Sequence, residues 1–134
     1  MSAKKATYLD SSAIVKLVVR EPESLALRHF LRKKDPLVSS TLARTEVRRA
    51  LLQLGETALN RDGEVFARID LIRVNDKILS LAGTLMPPEL RSLDAIHLAT
   101  ARLLGSDLAR FVAYDDRLRS AASDAGWKVF APEE

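Results

Sequence analysis

Ala6-Thr7-Tyr8-Leu9-Asp10-Ser11-Ser12-Ala13 is a short apolar run that stops on an acid and two serines. Residues 6–9 read as a strand, and 11–19 continue as a helical segment, so a strand feeds directly into a helix. The same alternation extends along the chain. Leu37-Val38-Ser39, Leu71-Ile72-Arg73-Val74, Arg110-Phe111-Val112-Ala113-Tyr114 and Trp127-Lys128-Val129-Phe130 are further extended runs. Helices are expected over about 21–34, from Thr41 as N-cap to about Gly55, and over about 57–67 and 76–85. Two more are expected over 93–104 with Ser92 as cap, and over about 117–124. The helix after Thr41 carries Ala43, Val47, Ala50, Leu51 and Leu54 at helical spacing. Strands separated by helices demand crossover connections, and hence a sheet with helices on both faces. The expected fold is a three-layer α/β/α sandwich with a central, mostly parallel sheet. With no linker, repeat or low-complexity tract, one domain is expected over 1–134.

Composition removes several chemistries. The 134 residues are 47% hydrophobic but only 5% aromatic, so the core must be built from Leu, Val, Ile and Ala. There is no cysteine, which excludes disulfides, thiolate metal sites and a cysteine nucleophile. No apolar stretch has the length of a signal peptide or a membrane span, and a cytoplasmic protein is expected. Net charge is +3, and 14 of the 21 cations are Arg, a bidentate phosphate binder or a reflection of genome composition. The balance permits a nucleic-acid partner without demanding one.

The acids are more informative. In open parallel sheets, sites form outside the carboxyl ends of the strands. Asp10 follows the first strand, and Asp115 follows the fourth. Glu46 lies about 80° from the centre of its helix's apolar stripe. Asp94 shares a stripe with Leu98 and Ala101 on a helix that is apolar over most of its circumference. Each acid has an ordinary alternative. Asp10 and Asp115 can cap the following helices, Asp94 suits a first helical turn, and Glu46 can pair with Arg49. Four carboxylates at one end of one sheet repel one another, and a hard divalent cation relieves that repulsion. With two histidines and no cysteine, zinc and copper fit poorly. His29 reads as solvent-facing, and His97 as a core histidine or a support for a neighbouring ligand. No nucleophile elbow, Ser-His-Asp order or phosphate-cradling glycine loop is present. Mg²⁺, with Mn²⁺ as a possible substitute, is the expected cofactor, held by Asp10, Glu46, Asp94 and Asp115.

Asp10-Ser11-Ser12-Ala13, Ala43-Arg44-Thr45-Glu46-Val47, Leu93-Asp94-Ala95-Ile96-His97-Leu98-Ala99 and Phe111-Val112-Ala113-Tyr114-Asp115 resemble the four acidic motifs of PIN-domain nucleases. Their order and spacing resemble the VapC-type toxins of bacterial toxin–antitoxin modules, over essentially the whole chain. The resemblance implies a Mg²⁺-dependent endoribonuclease that leaves a 5′-phosphate and a 3′-hydroxyl and is inhibited by a cognate antitoxin. It also implies a homodimer, for which the surplus of apolar residues at Leu25, Leu27, Phe30, Leu31, Leu51, Leu52 and Leu54 leaves room. By motif position Asp10 and Asp94 are the core metal ligands, Glu46 and Asp115 complete the cluster, and Ser12 supports the first Asp. Arg44, Arg91 and Arg117, together with Arg48, are candidates for substrate phosphates, or neutralise the acids instead. One departure is Ala113, where the family often has Thr or Ser, and Asp116 competes with Asp115 for the fourth acidic place. The alternatives are a non-catalytic PIN-like module that binds RNA or protein, and a DNA-directed nuclease, since nothing in the sequence reads a 2′-hydroxyl.

Overall fold

A computed structural model describes residues 5–133. Five strands, β1 (Ala6–Leu9), β2 (Leu37–Ser40), β3 (Ile69–Ile72), β4 (Leu108–Val112) and β5 (Val129–Phe130), form one sheet in the order β3-β2-β1-β4-β5. Every neighbouring pair is parallel. The connections are helical: α1 (Ser11–Val18) and α2 (Ser24–Leu31), then α3 (Leu42–Leu52), α4 (Glu56–Leu59) and α5 (Asp62–Phe66). After β3 come α6 (Asp76–Ala82) and α7 (Ser92–Arg102), and α8 (Asp116–Asp124) joins β4 to β5. No helix of the described residues is long and apolar enough to cross a membrane.

Strand alternation divides the core into two apolar layers. Tyr8 and Phe111 pair in register and pack with Leu98 and Ala101 of α7 and Leu118 and Ala122 of α8. Their neighbours Leu9 and Val112 turn to the opposite face, against Ile14, Leu27, Val47 and Leu51 from α1, α2 and α3. The few aromatics concentrate in the first layer. Tyr8 stacks on Phe111 at 5.2 Å and Phe111 on Trp127 at 5.6 Å.

Several boundaries differ from expectation for local reasons. The single helix expected over 57–67 is two short helices, and Asn60 and Arg61 separate them. Asp62 at the start of the second is held by Arg48 of α3 at 2.9 Å, a tertiary contact that local periodicity does not encode. The third strand starts earlier, at Ile69, and includes the exposed Asp70 because β3 is an edge strand. The fourth strand is also earlier, and β5 is reduced to Val129–Phe130. Thr41 precedes α3 but does not cap it; its hydroxyl accepts from the Val74 amide at 3.2 Å. Ser92 is the first residue of α7, and Arg91 occupies the N-cap position without a side-chain bond.

The strand order turns back between β1 and β4, where the chain leaves neighbouring strands in opposite directions. That reversal opens a crevice at the carboxyl ends of these two strands. Leu9 pairs with Val112, so Asp10 and the segment leading to Asp115 emerge side by side.

Candidate metal centre

Asp10 caps α1. Its Oδ1 accepts from the Ala13 amide at 3.0 Å and from the Ser12 hydroxyl at 2.7 Å. Ser12 Oγ in turn accepts from the Tyr114 amide at 3.1 Å, which ties the end of β4 to the β1–α1 corner. The Ser12 hydroxyl is therefore engaged on both sides within the protein, acting on Asp10. Asp10 is only 4% exposed. Burial raises its carboxyl from the ordinary 3.8 to about 6, against the Ser12 and Ala13 hydrogen bonds that favour the charged form.

Asp115 repeats this geometry one strand over. It caps α8, its Oδ1 accepting from the Leu118 amide at 3.0 Å. Asp116 points elsewhere: its side chain is 96% exposed and meets Arg119 at 3.3 Å. Asp94 sits half-buried in the first turn of α7. Its pKa is raised, first by burial and then by the charge of Asp115, with Glu46 adding to the rise and His97 and Arg91 opposing it. Glu46, half-buried on α3, is placed by partners from two other elements. Burial alone would raise its carboxyl, but the hydrogen bond from His97, that ring's charge when protonated and the Ser11 hydroxyl hold it below the usual range.

The structure thus brings Asp94 within the electrostatic reach of Asp115 and Glu46, and Asp10 within that of Glu46. Among the described residues, no three His, Asp or Glu side chains are drawn close enough together to form a ready-made metal cage. The donor set fits Mg²⁺ in a particular way. That ion keeps several waters and needs only one or two direct carboxylates, the rest acting through its hydration shell. All-oxygen, partly desolvated and mutually repelling donors match that requirement.

Three residues escaped sequence reasoning. Tyr8 reads as a strand aromatic and Ser11 as a turn residue, yet both reach His97, and Ser11 also reaches Glu46. Lys16 lies over the Tyr114 ring at 4.7 Å and binds Glu21 and Glu23. The candidate phosphate-binding arginines differ among themselves. Arg44, Arg91 and Arg117 are exposed, Arg91 near enough to Asp94 to affect it, while Arg48 is committed to Asp62. Ala113 is fully buried among the apolar side chains around Leu118 and Ala122, so its missing hydroxyl is a feature of packing. A hollow of about 670 Å³, bounded by Pro87, Leu90, Arg117 and Ala121, adjoins the start of α8 just past Asp115.

Fold and site define a class: a doubly wound α/β domain in which Asp10 and Asp115 follow the two adjacent strands of its switch point. Known proteins of that class match along the chain. The PIN domain profile matches residues 7–124. Ribonuclease VapC46 of Mycobacterium tuberculosis is 61% identical over 127 residues, covering 95% of this chain and 98% of the relative. Ribonuclease VapC35 of the same species is 41% identical, covering 93% and 96%. Among solved structures, the M. tuberculosis VapC20 toxin, described as cleaving the sarcin–ricin loop, superimposes with a TM-score of 0.75 at 18% identity, covering 94% of this chain and 99% of that one. A toxin–antitoxin complex from Klebsiella pneumoniae gives 0.71 at 20% identity, with 99% of both chains covered. The chain belongs to the PIN-domain family, in its VapC-type branch.

Proposed function

We propose that this protein is the ribonuclease toxin of a toxin–antitoxin pair, a Mg²⁺-dependent endonuclease that cleaves RNA phosphodiesters by an activated water. The observation that carries the reading is that Asp10 directly follows β1 and Asp115 lies three residues beyond the end of the adjacent strand β4, with Asp94 electrostatically coupled to Asp115. Relatives named ribonucleases, at up to 61% identity over nearly the whole chain, support the activity. Asp10, Glu46, Asp94 and Asp115 would hold the cation, with Mn²⁺ able to substitute. When bound, the ion lowers the pKa of a water and stabilises charge on the phosphodiester oxygens. The protein's own work is orientation. Ser12 fixes one oxygen of Asp10, and the Leu118 amide fixes one of Asp115. Arg44, Arg91 and Arg117, exposed beside the acidic motifs, can hold flanking phosphates.

An antitoxin partner and a homodimer belong to the same proposal, as does work in the cytoplasm, where the RNA is. The toxin–antitoxin neighbour supports the first. Leu25 of α2, Leu52 of α3 and Leu54 just beyond it, at 76%, 54% and 59% exposure, offer apolar surface for association, whereas Leu27, Leu31 and Leu51 of those two helices are buried.

The test is cleavage of a panel of structured RNAs, with matched DNA strands, by wild type and Asp94→Asn in Mg²⁺ and in EDTA. Metal-dependent RNA cleavage that the variant loses by at least about a hundredfold is expected, the scale of a lost transition-state interaction. Comparable cutting by the variant would sink the assignment of Asp94. Preference for the DNA strands would overturn the RNA reading.

A further inference from the structure

His97 lies three residues beyond Asp94 on α7 and is 1% exposed. Both of its ring nitrogens are engaged. Nδ1 is 2.7 Å from the Tyr8 hydroxyl, and Nε2 is 2.7 Å from Glu46 Oε1 and 3.2 Å from Ser11 Oγ. The Ser11 hydroxyl donates to the same Oε1 at 2.5 Å. A carboxylate only accepts, so Nε2 must carry a hydrogen. Nδ1 of the neutral ring is then an acceptor, and the Tyr8 phenol donates to it. Tyr8 is suited to that duty: it is fully buried, and desolvation pushes its hydroxyl far above the ordinary range, keeping the proton in place. Tyr8 is held in turn by its stack on Phe111, with the imidazole edge-on to it at 78°. A continuous set of contacts therefore runs from the centre of the sheet to one oxygen of Glu46.

We propose that His97 is a positioning residue: fixed by Tyr8 as the Nε2–H tautomer, it clamps Oε1 of Glu46 together with Ser11, leaving Oε2 as the oxygen offered to the divalent cation or its water. The inference rests on the reading of Glu46 as part of the metal centre. Its physical logic is selective. The imidazole N–H orients the carboxylate through a single hydrogen bond, whereas an arginine in the same place would bring a permanent positive charge and a bidentate grip that compete with the cation. Two donors on one oxygen also remove the side chain's freedom to swap oxygens, an ordering cost that would otherwise fall on metal binding.

The experiment measures Mn²⁺ binding to the full chain by calorimetry, alongside cleavage of the RNA panel, for wild type, Tyr8→Phe, His97→Gln and His97→Leu. His97→Leu should weaken Mn²⁺ binding by about 10–100-fold, the usual scale for a lost ligand-orienting partner. His97→Gln, whose side-chain amide can donate to the same oxygen, should recover part of the loss. Tyr8→Phe, which keeps the aromatic stack, should weaken binding by a smaller factor. Should His97→Leu fail to fold, the other two variants decide the matter. Unchanged Mn²⁺ affinity in Tyr8→Phe and His97→Gln would overturn the positioning role, as would a glutamine variant no better than a folded leucine one. In either case a wild type that binds Mn²⁺ and cuts RNA leaves the nuclease reading intact. A wild type that does neither removes that reading and the role of His97 with it.

Discussion

Asp10→Asn should make the metal-free protein more stable at neutral pH. Asp10 is 4% exposed, and its carboxyl is raised from 3.8 to about 6 because burial disfavours the charge. A group whose folded pKa is raised binds its proton more tightly when folded. Stability is therefore lost as pH rises through the window from 3.8 to about 6, and stays low above it. That displacement corresponds to about 3 kcal/mol for the ionised form at neutral pH. Asparagine keeps the oxygen that accepts from Ser12 and Ala13 and carries no charge. Its amide group must find a partner of its own, which offsets part of the gain and leaves about 1–3 kcal/mol. With an unfolding entropy of about 0.28 kcal/mol/K for a chain of this length, the melting temperature should rise by roughly 4–11 °C.

The assay is thermal and urea unfolding from about pH 4 to about pH 8 in EDTA, repeated with Mg²⁺. In EDTA the wild type should lose stability over the lower half of that range relative to the variant. Added Mg²⁺ should stabilise the wild type by mass action and the variant much less, so the ranking narrows or reverses. Equal stability of the two proteins at neutral pH in EDTA would refute the claim that Asp10 is a buried charge awaiting a cation.

Ser12→Ala removes the donor to Asp10 and the acceptor for the Tyr114 amide, and should cost about 1–3 kcal/mol by urea unfolding; a loss below half a kilocalorie would show that water replaces both bonds. Leu51→Ala, at a fully buried position, should cost about 2–5 kcal/mol, while Leu52→Ala, at 54% exposure, should leave monomer stability within about 0.5 kcal/mol. If the homodimer uses that surface, sedimentation of Leu52→Ala should show weaker association, and unchanged association would move the interface elsewhere. Arg44→Ala and Arg117→Ala should each raise KM with little change in kcat and reduce the salt dependence of RNA binding by about one phosphate contact. A fall in kcat alone would place those side chains at the reacting phosphodiester.

The sequence was most legible where one residue serves two local purposes. A strand that ends on an acid and passes straight into a helix marks its own boundary, and the Leu9–Asp10 corner lies where the pattern puts it; at the other corner Asp115 caps its helix, but β4 closes two residues before Tyr114, at Val112. Their adjacency followed from alternation of strands and helices once β1 and β4 proved to be neighbours. Legibility failed where a side chain answers to a distant partner. Thr41 leaves its cap role for an amide 33 residues on, and Asp62 is held from α3 across a break in helical periodicity. The contacts between Tyr8 and His97, and between Ser11 and Glu46, span 89 and 35 residues, distances at which spacing carries no signal. Position 113 failed differently. The family often carries Thr or Ser there, but strand alternation sends this side chain into the apolar layer under α8.

For Asp10 and Asp115, capping a helix and serving a metal centre are not rival roles. An N-cap carboxylate is fixed by a backbone amide and favoured by the partial positive charge of the helix end, so one oxygen is immobilised while the other is left for a ligand. Placing such caps after two adjacent parallel strands brings two prepared carboxylates to one crevice at no cost in extra residues. This arrangement decides which substitutions are informative. Alanine at either position removes the cap along with the carboxylate, costing about 1 kcal/mol of local structure, so a loss of activity would have two causes. Asparagine caps a helix about as well as aspartate and cannot carry the charge. Asp115→Asn should therefore retain the wild-type unfolding transition to within a few tenths of a kilocalorie while weakening Mn²⁺ binding and cleavage together. A variant that keeps both would show that Asp115 only caps α8 and that the centre is completed without it.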